Sequence, residues 1–381
     1  MNHQEQVDTM KHLFTLREQG RDQEMLDRVV RVPVSNYTDP GILDRELAGV
    51  FHDSPLVAGH VSNVAEPGSY LLSDWNRIPY VVTRDRQGRL RAFLNQCRHR
   101  GARLVKGDEK QLKAFVCPFH NWVYDLDGSL RAITRQEDFP GIDPNDYGLK
   151  ELPVTEAGGL VWVHPNPEGN LDLSSYLGRM LDDLVNFDIA QLVRYRKSKV
   201  VKNANWKLLI KTYLEGYHVP YLHRSTLSKA FRKGVLAHTE EGPHIRMCAA
   251  RSNIEDALDT DPDSWRILDY ASVYYVLFPN TFFILHPDYV SINIFYPEAP
   301  DRTIWTHEMM YRAGDFPGTE GEEALAKRFA FTNDVVFGGE DFAVAEDVQE
   351  NLRYGANDFH TLGLAEGLLA IFQQSIDDRL R

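Results

Sequence analysis

Two of the three cysteines in this 381-residue chain stand in the stretch NQCRHRGARLVKGDEKQLKAFVCPFHNW, residues 95 to 122, and each has a histidine within three positions. Cys97 and His99 form C-x-H, Cys117 and His120 form C-x2-H, and 17 residues separate the pairs. Thiolates and imidazoles are metal ligands, so the stretch is a candidate metal clip, with a redox-active thiol pair and a pair of plain core thiols as alternatives. A structural zinc site usually takes its two cysteines from one element and its two histidines from another. Here each loop supplies one of each. That mixture suits an iron–sulfur cluster in which two thiolates hold one iron and two imidazoles hold the other.

A second group of candidate ligands lies in NANWKLLIKTYLEGYHVPYLHRST, residues 203 to 226. His218 and His223 are five apart, which on a continuous helix of ~3.6 residues per turn would point them about 140° away from each other. Pro220 stands between them and disfavours helical geometry at Val219. A break there lets both imidazoles converge on one point. Two histidines with one carboxylate and open positions are the facial ligand set of non-haem Fe(II) oxygenases. Two histidines satisfied as polar core residues are the alternative.

The surrounding elements follow from periodicity and turn chemistry. Residues 1 to 31 carry Met10, Leu13, Phe14, Met25, Leu26, Val29 and Val30 at roughly helical spacing in a charged background, which predicts a peripheral helix. In TDPGILDRELAGVF, Asp39 is a candidate cap and Pro40 the first helical residue. From about 55 to 163 the chain becomes a series of short β-rich runs, with turns expected at Asp85 to Gly88 and at Asp127-Gly128. HPNPEGNLD, residues 164 to 172, reads as a linker. Beyond it, NANWKLLIKTYLEGYH has helical periodicity after Asn205, four runs between 272 and 312 alternate as antiparallel strands, and 321–353 and 358–381 read as long helices. The expected fold class is α+β: an N-terminal helical segment over 1–54, an all-β domain over 55–165, and a catalytic domain of helices on an antiparallel sheet over 173–381.

Composition narrows the function further. A hydrophobic share of 43% is ordinary for a well-cored protein, and runs such as ASVYYVLF are too short to span a bilayer. MNHQEQVDTMKHLF lacks a basic region followed by an apolar core, so a cytoplasmic location is expected and no membrane association. Three cysteines are too few for a disulfide scaffold. A net charge of −13 argues against nucleic acid as a partner. No G-x-G-x-x-G pattern is present, so no dinucleotide site is expected on this chain.

CRHRGARL and CPFHNWVYDLDG resemble the two loop motifs of the Rieske family, and EGYHVPYLH resembles the mononuclear iron motif of Rieske non-haem iron oxygenases, the family of aromatic-ring-hydroxylating terminal oxygenase (alpha) subunits. The resemblance covers roughly residues 45 to 355. It implies one Rieske 2Fe-2S cluster on Cys97, His99, Cys117 and His120, and one mononuclear Fe(II) on His218 and His223. GGEDFAVAEDVQENL, residues 338 to 352, is similar to the segment that supplies the third ligand, which makes Asp341 the matching position, with Glu346 five residues later as in relatives and with Asp347 and Glu340 as alternatives. Glu215 matches an acidic residue that hydrogen-bonds a cluster histidine of one subunit and an iron-bound histidine of the next. The resemblance further implies a helix-grip catalytic domain, a homotrimer with or without β subunits, and electrons from a ferredoxin and/or an NAD(P)H-dependent reductase. Dioxygen and a small organic, aromatic substrate would then meet in hydroxylation, dihydroxylation or oxidative dealkylation.

The chain departs from the family pattern at Asn121, where the family usually has glycine after the second histidine; asparagine tolerates left-handed backbone better than most residues. Arg98, Arg100, Arg103 and Lys106 make a basic rim on the first loop, a dock for an acidic redox protein or simply solvated charge. Three alternatives stand beside the main reading: a quaternary-amine monooxygenase of the same family, a Rieske electron-transfer or redox-sensing protein without mononuclear iron, and a binding protein with structural zinc.

Overall fold

The structure, a computed structural model, describes residues 1–20, 26–107 and 111–381. Met25, counted above on the N-terminal helical face, lies outside the described residues. The chain divides into two compact units, one formed by residues 51–176 with 188–190 and the other by 1–50, 177–187 and 191–381. The fold class is α+β, with antiparallel sheets throughout.

The smaller unit is all β apart from short helical turns. Its four-stranded sheet runs in the order Tyr70–Leu72, Tyr80–Arg84, Leu90–Leu94 and Glu151–Leu152, and a three-stranded sheet joins Val154–Ala157, Leu160–Val163 and Leu56–His60. A third sheet of three short strands, Phe115–Val116, Val123–Tyr124 and Leu130–Ala132, carries the second cysteine loop. Both expected turns form: the Gly88 N–H donates to the Asp85 carbonyl at 3.0 Å and the Gly128 N–H to the Asp125 carbonyl at 2.9 Å. At Gly128 a Cβ would stand 2.4 Å from the Phe93 ring, so this turn needs glycine for space as well as for its φ of 88°.

The larger unit is built on a seven-stranded antiparallel sheet whose order is Leu192–Lys202, Arg302–Arg312, Val290–Ala299, Thr281–Leu285, Ala271–Leu277, His244–Arg251 and Phe231–Glu241. All four strands expected between 272 and 312 are here, and they lie in the middle of the sheet. A continuous helical run over 318–352 packs on them. Its first part is the α-helix Gly318–Phe329, its last the α-helix Phe342–Leu352, and between them Ala330–Asp341 is a π-helix. Phe342 meets Trp305 at 4.8 Å and Phe295 at 5.9 Å between ring centroids, while His307, stacked on Phe329, hydrogen-bonds the Asn333 side chain at 2.9 Å.

Sequence periodicity misplaces the ends of this unit. The N-terminal helix spans only His3–Glu18, and Val30 belongs to a strand, Val30–Pro33. The segment 358–381 is not one helix: Phe359–Leu362 is the antiparallel partner of Val30–Pro33, and the helix is Gly367–Arg379. A strand pair that joins residues more than 300 positions apart leaves no local signal. The Asp39 cap holds, accepting from the Gly41 N–H at 2.7 Å ahead of the helix Pro40–Glu46.

A buried polar network ties these terminal segments to the helix Trp206–Lys211. Glu46 accepts from Trp206 Nε1 at 2.9 Å and ion-pairs with Lys207, and Lys211 Nζ donates to the Tyr37 hydroxyl at 2.7 Å and to Gln373 Oε1 at 2.9 Å. Among the described residues no helix is long and apolar enough to cross a membrane.

Candidate metal centres

The two cysteine loops share one backbone design. The Cys97 N–H donates to the Ala102 carbonyl and the Cys97 carbonyl accepts from the Gly101 N–H, both at 2.8 Å. In the second loop the Cys117 N–H donates to the Trp122 carbonyl at 2.8 Å and the Cys117 carbonyl accepts from the Asn121 N–H at 2.9 Å. In both, the residue four positions after the cysteine has a left-handed φ, 76° at Gly101 and 58° at Asn121. Asn121 therefore does the work expected of glycine, and the turn survives the departure.

Asn95 closes the base of the first loop. Its Oδ1 accepts from the Leu104 and Val105 N–H groups at 3.1 and 3.0 Å, and its Nδ2 donates to the Val105 carbonyl at 2.8 Å. Sequence reasoning gave this residue no role, although a buried asparagine two positions before a ligand cysteine is a signal of that kind. Both cysteines are free thiols built into the hydrophobic core of the unit, beside Phe115, Trp122 and Tyr124.

The structure brings Cys97, His99, Cys117 and His120 together. The two imidazoles stand edge to face at 4.7 Å between centroids, and His99 is stacked on Trp122 at 4.9 Å. His99 Nδ1 and His120 Nδ1 are both buried without a hydrogen-bond partner. The Tyr124 hydroxyl lies 3.3 Å from Cys97 Sγ and accepts from the Arg98 N–H at 3.0 Å. Burial pushes the Cys97 thiol up from its usual range. Two buried nitrogens without partners beside two free thiols are the donor set of a two-iron, two-sulfur cluster with mixed ligation, so the residues present fit that group. Arg100 folds back over the site, its guanidinium 4.4 Å above the Phe119 ring and 2.6 Å from His120 Nε2.

In the larger unit the helix that begins after the Asn205 cap ends at Lys211, and the chain turns through 212–218 before a short second helix, Val219–Leu222. Pro220 lies in the first turn of that helix, so it starts a helix rather than breaking one, as its missing N–H permits. His218 and His223 bracket the turn at its two ends, and their Nε2 atoms come within 3.3 Å. Asp341, the last residue of the π-helical stretch, completes the group: its Oδ1 is 3.4 Å from His218 Nε2 and 3.1 Å from His223 Nε2. His218, His223 and Asp341 each offer one ligand atom, all within 4.8 Å of one another.

Carboxylates set the tautomers. Glu215 accepts from the His218 N–H at 3.0 Å and its other oxygen pairs with His218 Nδ1. Glu340 Oε2 lies 2.8 Å from His223 Nδ1 and accepts from the Thr226 hydroxyl at 2.8 Å. With Nδ1 protonated and held on a carboxylate, each histidine presents an Nε2 lone pair to the same point. Burial works against the imidazolium of His218, yet Asp341 and Glu215 outweigh it and push the group up to about 10. The negative charge of these carboxylates also favours a divalent cation, and the facial two-histidine, one-carboxylate set fits ferrous iron. Glu340 pairs with His223 Nδ1 and is not part of the ligand group, and Glu346 accepts from the Asn203 N–H at 2.6 Å. Its neighbour Asp347 is not part of the ligand group.

The ligand group opens on a cavity of about 830 Å³. One wall is the sheet face carrying Met247, Ala249, Tyr274 and Ile284, and Tyr213, Phe331 and Val336 also line it. Such a space matches small-molecule pockets, largely apolar with few polar groups. Of the aromatic-rich stretch over 274–295, Tyr274, Ile284 and Tyr289 line the cavity, while Tyr275, Phe283 and Phe295 are packed in the core.

Comparison with known proteins places both units. Residues 54–152 match the Rieske [2Fe-2S] domain family, and residues 189–381 match the family described as ring hydroxylating alpha subunit, catalytic domain. A chloroplastic choline monooxygenase of Beta vulgaris is 34% identical over 197 residues, which is 50% of this chain and 44% of that protein. The match thus spans less than half the length of that relative. A choline monooxygenase of Arabidopsis thaliana is 27% identical over 356 residues, covering 90% of this chain and 81% of its own. Among solved structures, a quaternary ammonium Rieske monooxygenase has the same fold, with a TM-score of 0.81 at 22% identity, covering 93% of this chain and 96% of its own.

Proposed function

The chain belongs to the ring-hydroxylating alpha-subunit family, with a Rieske domain ahead of its catalytic domain, and on that premise we propose that it is a terminal oxygenase. It takes O2 and electrons from a separate ferredoxin or NAD(P)H-dependent reductase and oxygenates a small organic substrate. Cys97, His99, Cys117 and His120 hold the cluster, and His218, His223 and Asp341 hold the iron. The observation that carries this reading is the convergence of His218 Nε2, His223 Nε2 and Asp341 Oδ1 at the mouth of a largely apolar cavity. The cluster supplies electrons one at a time, and ferrous iron with open positions supplies the binding and activation of O2.

The chain's own groups do the rest. Glu215 and Glu340 keep the two Nδ1 protons in place, so that His218 and His223 stay neutral ligands with fixed ring planes. Tyr213, stacked on Phe282 at 4.3 Å and edge-on to Phe337 at 5.2 Å, walls the cavity beside Asp341, and its hydroxyl is buried without a partner. Burial and the Asp341 charge hold that phenol protonated, so it is a hydrogen-bond donor at the ligand group and not a base. The apolar wall of Met247, Ile284 and Val336 limits water around the reacting carbon.

A second reading, oxidation of a quaternary amine, has the likeness to the choline and quaternary ammonium monooxygenases in its favour. Three free cysteines, with no disulfide among the described residues, support a reducing, cytoplasmic setting, and a homotrimer is the assembly we expect.

The test is electron paramagnetic resonance of the dithionite-reduced protein with iron counted per chain, repeated on His218→Ala. A rhombic Rieske-type signal with about three irons per chain, falling to about two in the variant, supports the reading, since the cluster holds two and the facial site one. About two irons in both proteins under iron-replete conditions leaves an electron carrier and overturns it.

A further inference from the structure

Three adjacent strands of the large sheet turn alternate residues toward the cavity. From His244–Arg251 these are Met247, Ala249 and Arg251; from Ala271–Leu277 they are Ser272 and Tyr274; and Ile284, with His286 just past the strand end, completes the face. The register pairs Met247 with Tyr274 and Tyr274 with Ile284, which makes one apolar row, and Ala249 with Ser272 in the next. Along this face the chemistry therefore changes direction: apolar at one end, and Arg251, Ser272 and His286 at the other.

The cavity has three arginines, and two of them have ion-pair partners. Arg232 pairs with Glu255 at 3.0 Å and Arg328 with Asp288 at 2.8 Å. Arg251 makes no side-chain hydrogen bond or ion pair among the described residues. Beside it, Ser272 Oγ and His286 Nε2 are buried atoms without partners. His286 is packed flat on Tyr289 at 4.1 Å, and burial together with the nearby His307 and Arg251 pushes it down to about 3, so it is a neutral imidazole that can donate. A half-buried guanidinium without a counterion, flanked by a hydroxyl and an imidazole whose hydrogen-bonding capacity is unspent, is an incomplete site. What completes it must bring negative charge and accept several hydrogen bonds.

We propose that Arg251, with Ser272 and His286, is a carboxylate-binding subsite, and that the substrate is a small organic acid whose carboxylate is held here while its apolar body lies along Met247, Tyr274 and Ile284. The fork of a guanidinium matches a planar carboxylate with two parallel hydrogen bonds, which fixes the substrate's direction in the cavity as well as its affinity. The inference rests on the oxygenase reading for what happens to the other end of the molecule. It applies equally to an aromatic acid and to a quaternary-ammonium acid, and it excludes neutral hydrocarbons and simple amino-alcohols as preferred substrates.

The experiment measures equilibrium binding to the iron-loaded protein without reductant, using matched pairs: benzoate against benzamide, and a trimethylammonium carboxylate against the alcohol of the same length. At least one carboxylate binds about ten-fold or more tightly than its neutral partner, the preference disappears in Arg251→Gln, and Arg251→Lys retains part of it because a point charge replaces the fork. Circular dichroism and unfolding midpoint confirm that each variant is folded. Ser272→Ala, a smaller change, weakens carboxylate binding without reversing the order within a pair. Equal binding within both pairs, an undiminished preference in folded Arg251→Gln, or no carboxylate binding at millimolar concentration overturns the proposal. Oxygen uptake separates the two readings: carboxylate binding that depends on Arg251 but never leads to O2 consumption counts against the oxygenase, whereas turnover confined to neutral compounds counts against the subsite alone.

Discussion

At the scale of single residues, a carboxylate stands behind each candidate iron-site histidine, and the two carboxylates differ in how visible they are in the sequence. Glu215 lies on the same turn as His218, so its nearness is legible from spacing. Glu340 sits next to Asp341 in sequence but serves His223, 117 positions earlier, and only the fold shows which nitrogen it meets. Replacing Glu340 by alanine leaves all three candidate ligands in place but frees the His223 ring and its tautomer. Iron affinity should fall about 10- to 100-fold, read by competition with a chelator, while Asp341→Ala should abolish tight binding. If Glu340 were the ligand and Asp341 not, the order of the two variants would be reversed. The four candidate cluster ligands stand out in the sequence because their motifs are local: each cysteine–histidine pair lies within one turn, and Asn121 shows that the left-handed position tolerates more than glycine.

At the scale of elements, the π-helical stretch Ala330–Asp341 decides where the third ligand points. A wide turn brings each carbonyl toward the residue five positions later. A Cβ at Gly338 would stand 2.9 Å from the Asn333 carbonyl oxygen, and one at Gly339 at the same distance from that of Asp334. These two glycines let the backbone close on itself just before Glu340 and Asp341. Gly339→Ala should therefore cost about 1–3 kcal/mol by overpacking and rotate the two carboxylates away from the histidines. Loss of the mononuclear iron with the cluster absorbance intact is the expected readout, and a variant that keeps its full iron content would refute the link. Periodicity reads 321–353 as a plain helix because it does not separate α from π. The break expected at Pro220 has a similar origin: proline forbids the middle of a helix but suits its first turn, and which of these applies depends on where the preceding helix stops.

For the larger unit as a whole, the buried network of Tyr37, Glu46, Lys207, Lys211 and Gln373 predicts how stability depends on pH. Desolvation pulls Lys211 down to about 7, and the positive charge of Lys207 adds to it. In the unfolded chain a lysine titrates near about 10.4. Between those values the unfolded state binds the extra proton, so this residue makes stability rise with pH from about 7 to about 10, and below 7 its full burial cost is present. In Lys211→Met the slope of unfolding free energy against pH over pH 7 to 9 should be smaller than in the unmodified protein; equal slopes would rule the account out. This network, like the pairing of Val30–Pro33 with Phe359–Leu362, was invisible to periodicity because it joins the two ends of the chain.

That end-to-end pairing also sets an order of assembly during synthesis. All four candidate cluster ligands have been made once residue 120 is complete, and every residue of their compact unit by residue 190, so the cluster loops can close while the rest of the chain is still being translated. Residues 1–50 precede the cluster loops in sequence but belong to the other unit. Val30–Pro33 has no strand to pair with until residue 362 has left the ribosome, and Tyr37 has no Gln349 or Lys211 to bond. Val30–Pro33 thus waits for more than 300 further residues, and the candidate iron site, which includes Asp341, becomes complete shortly before that strand finds its partner.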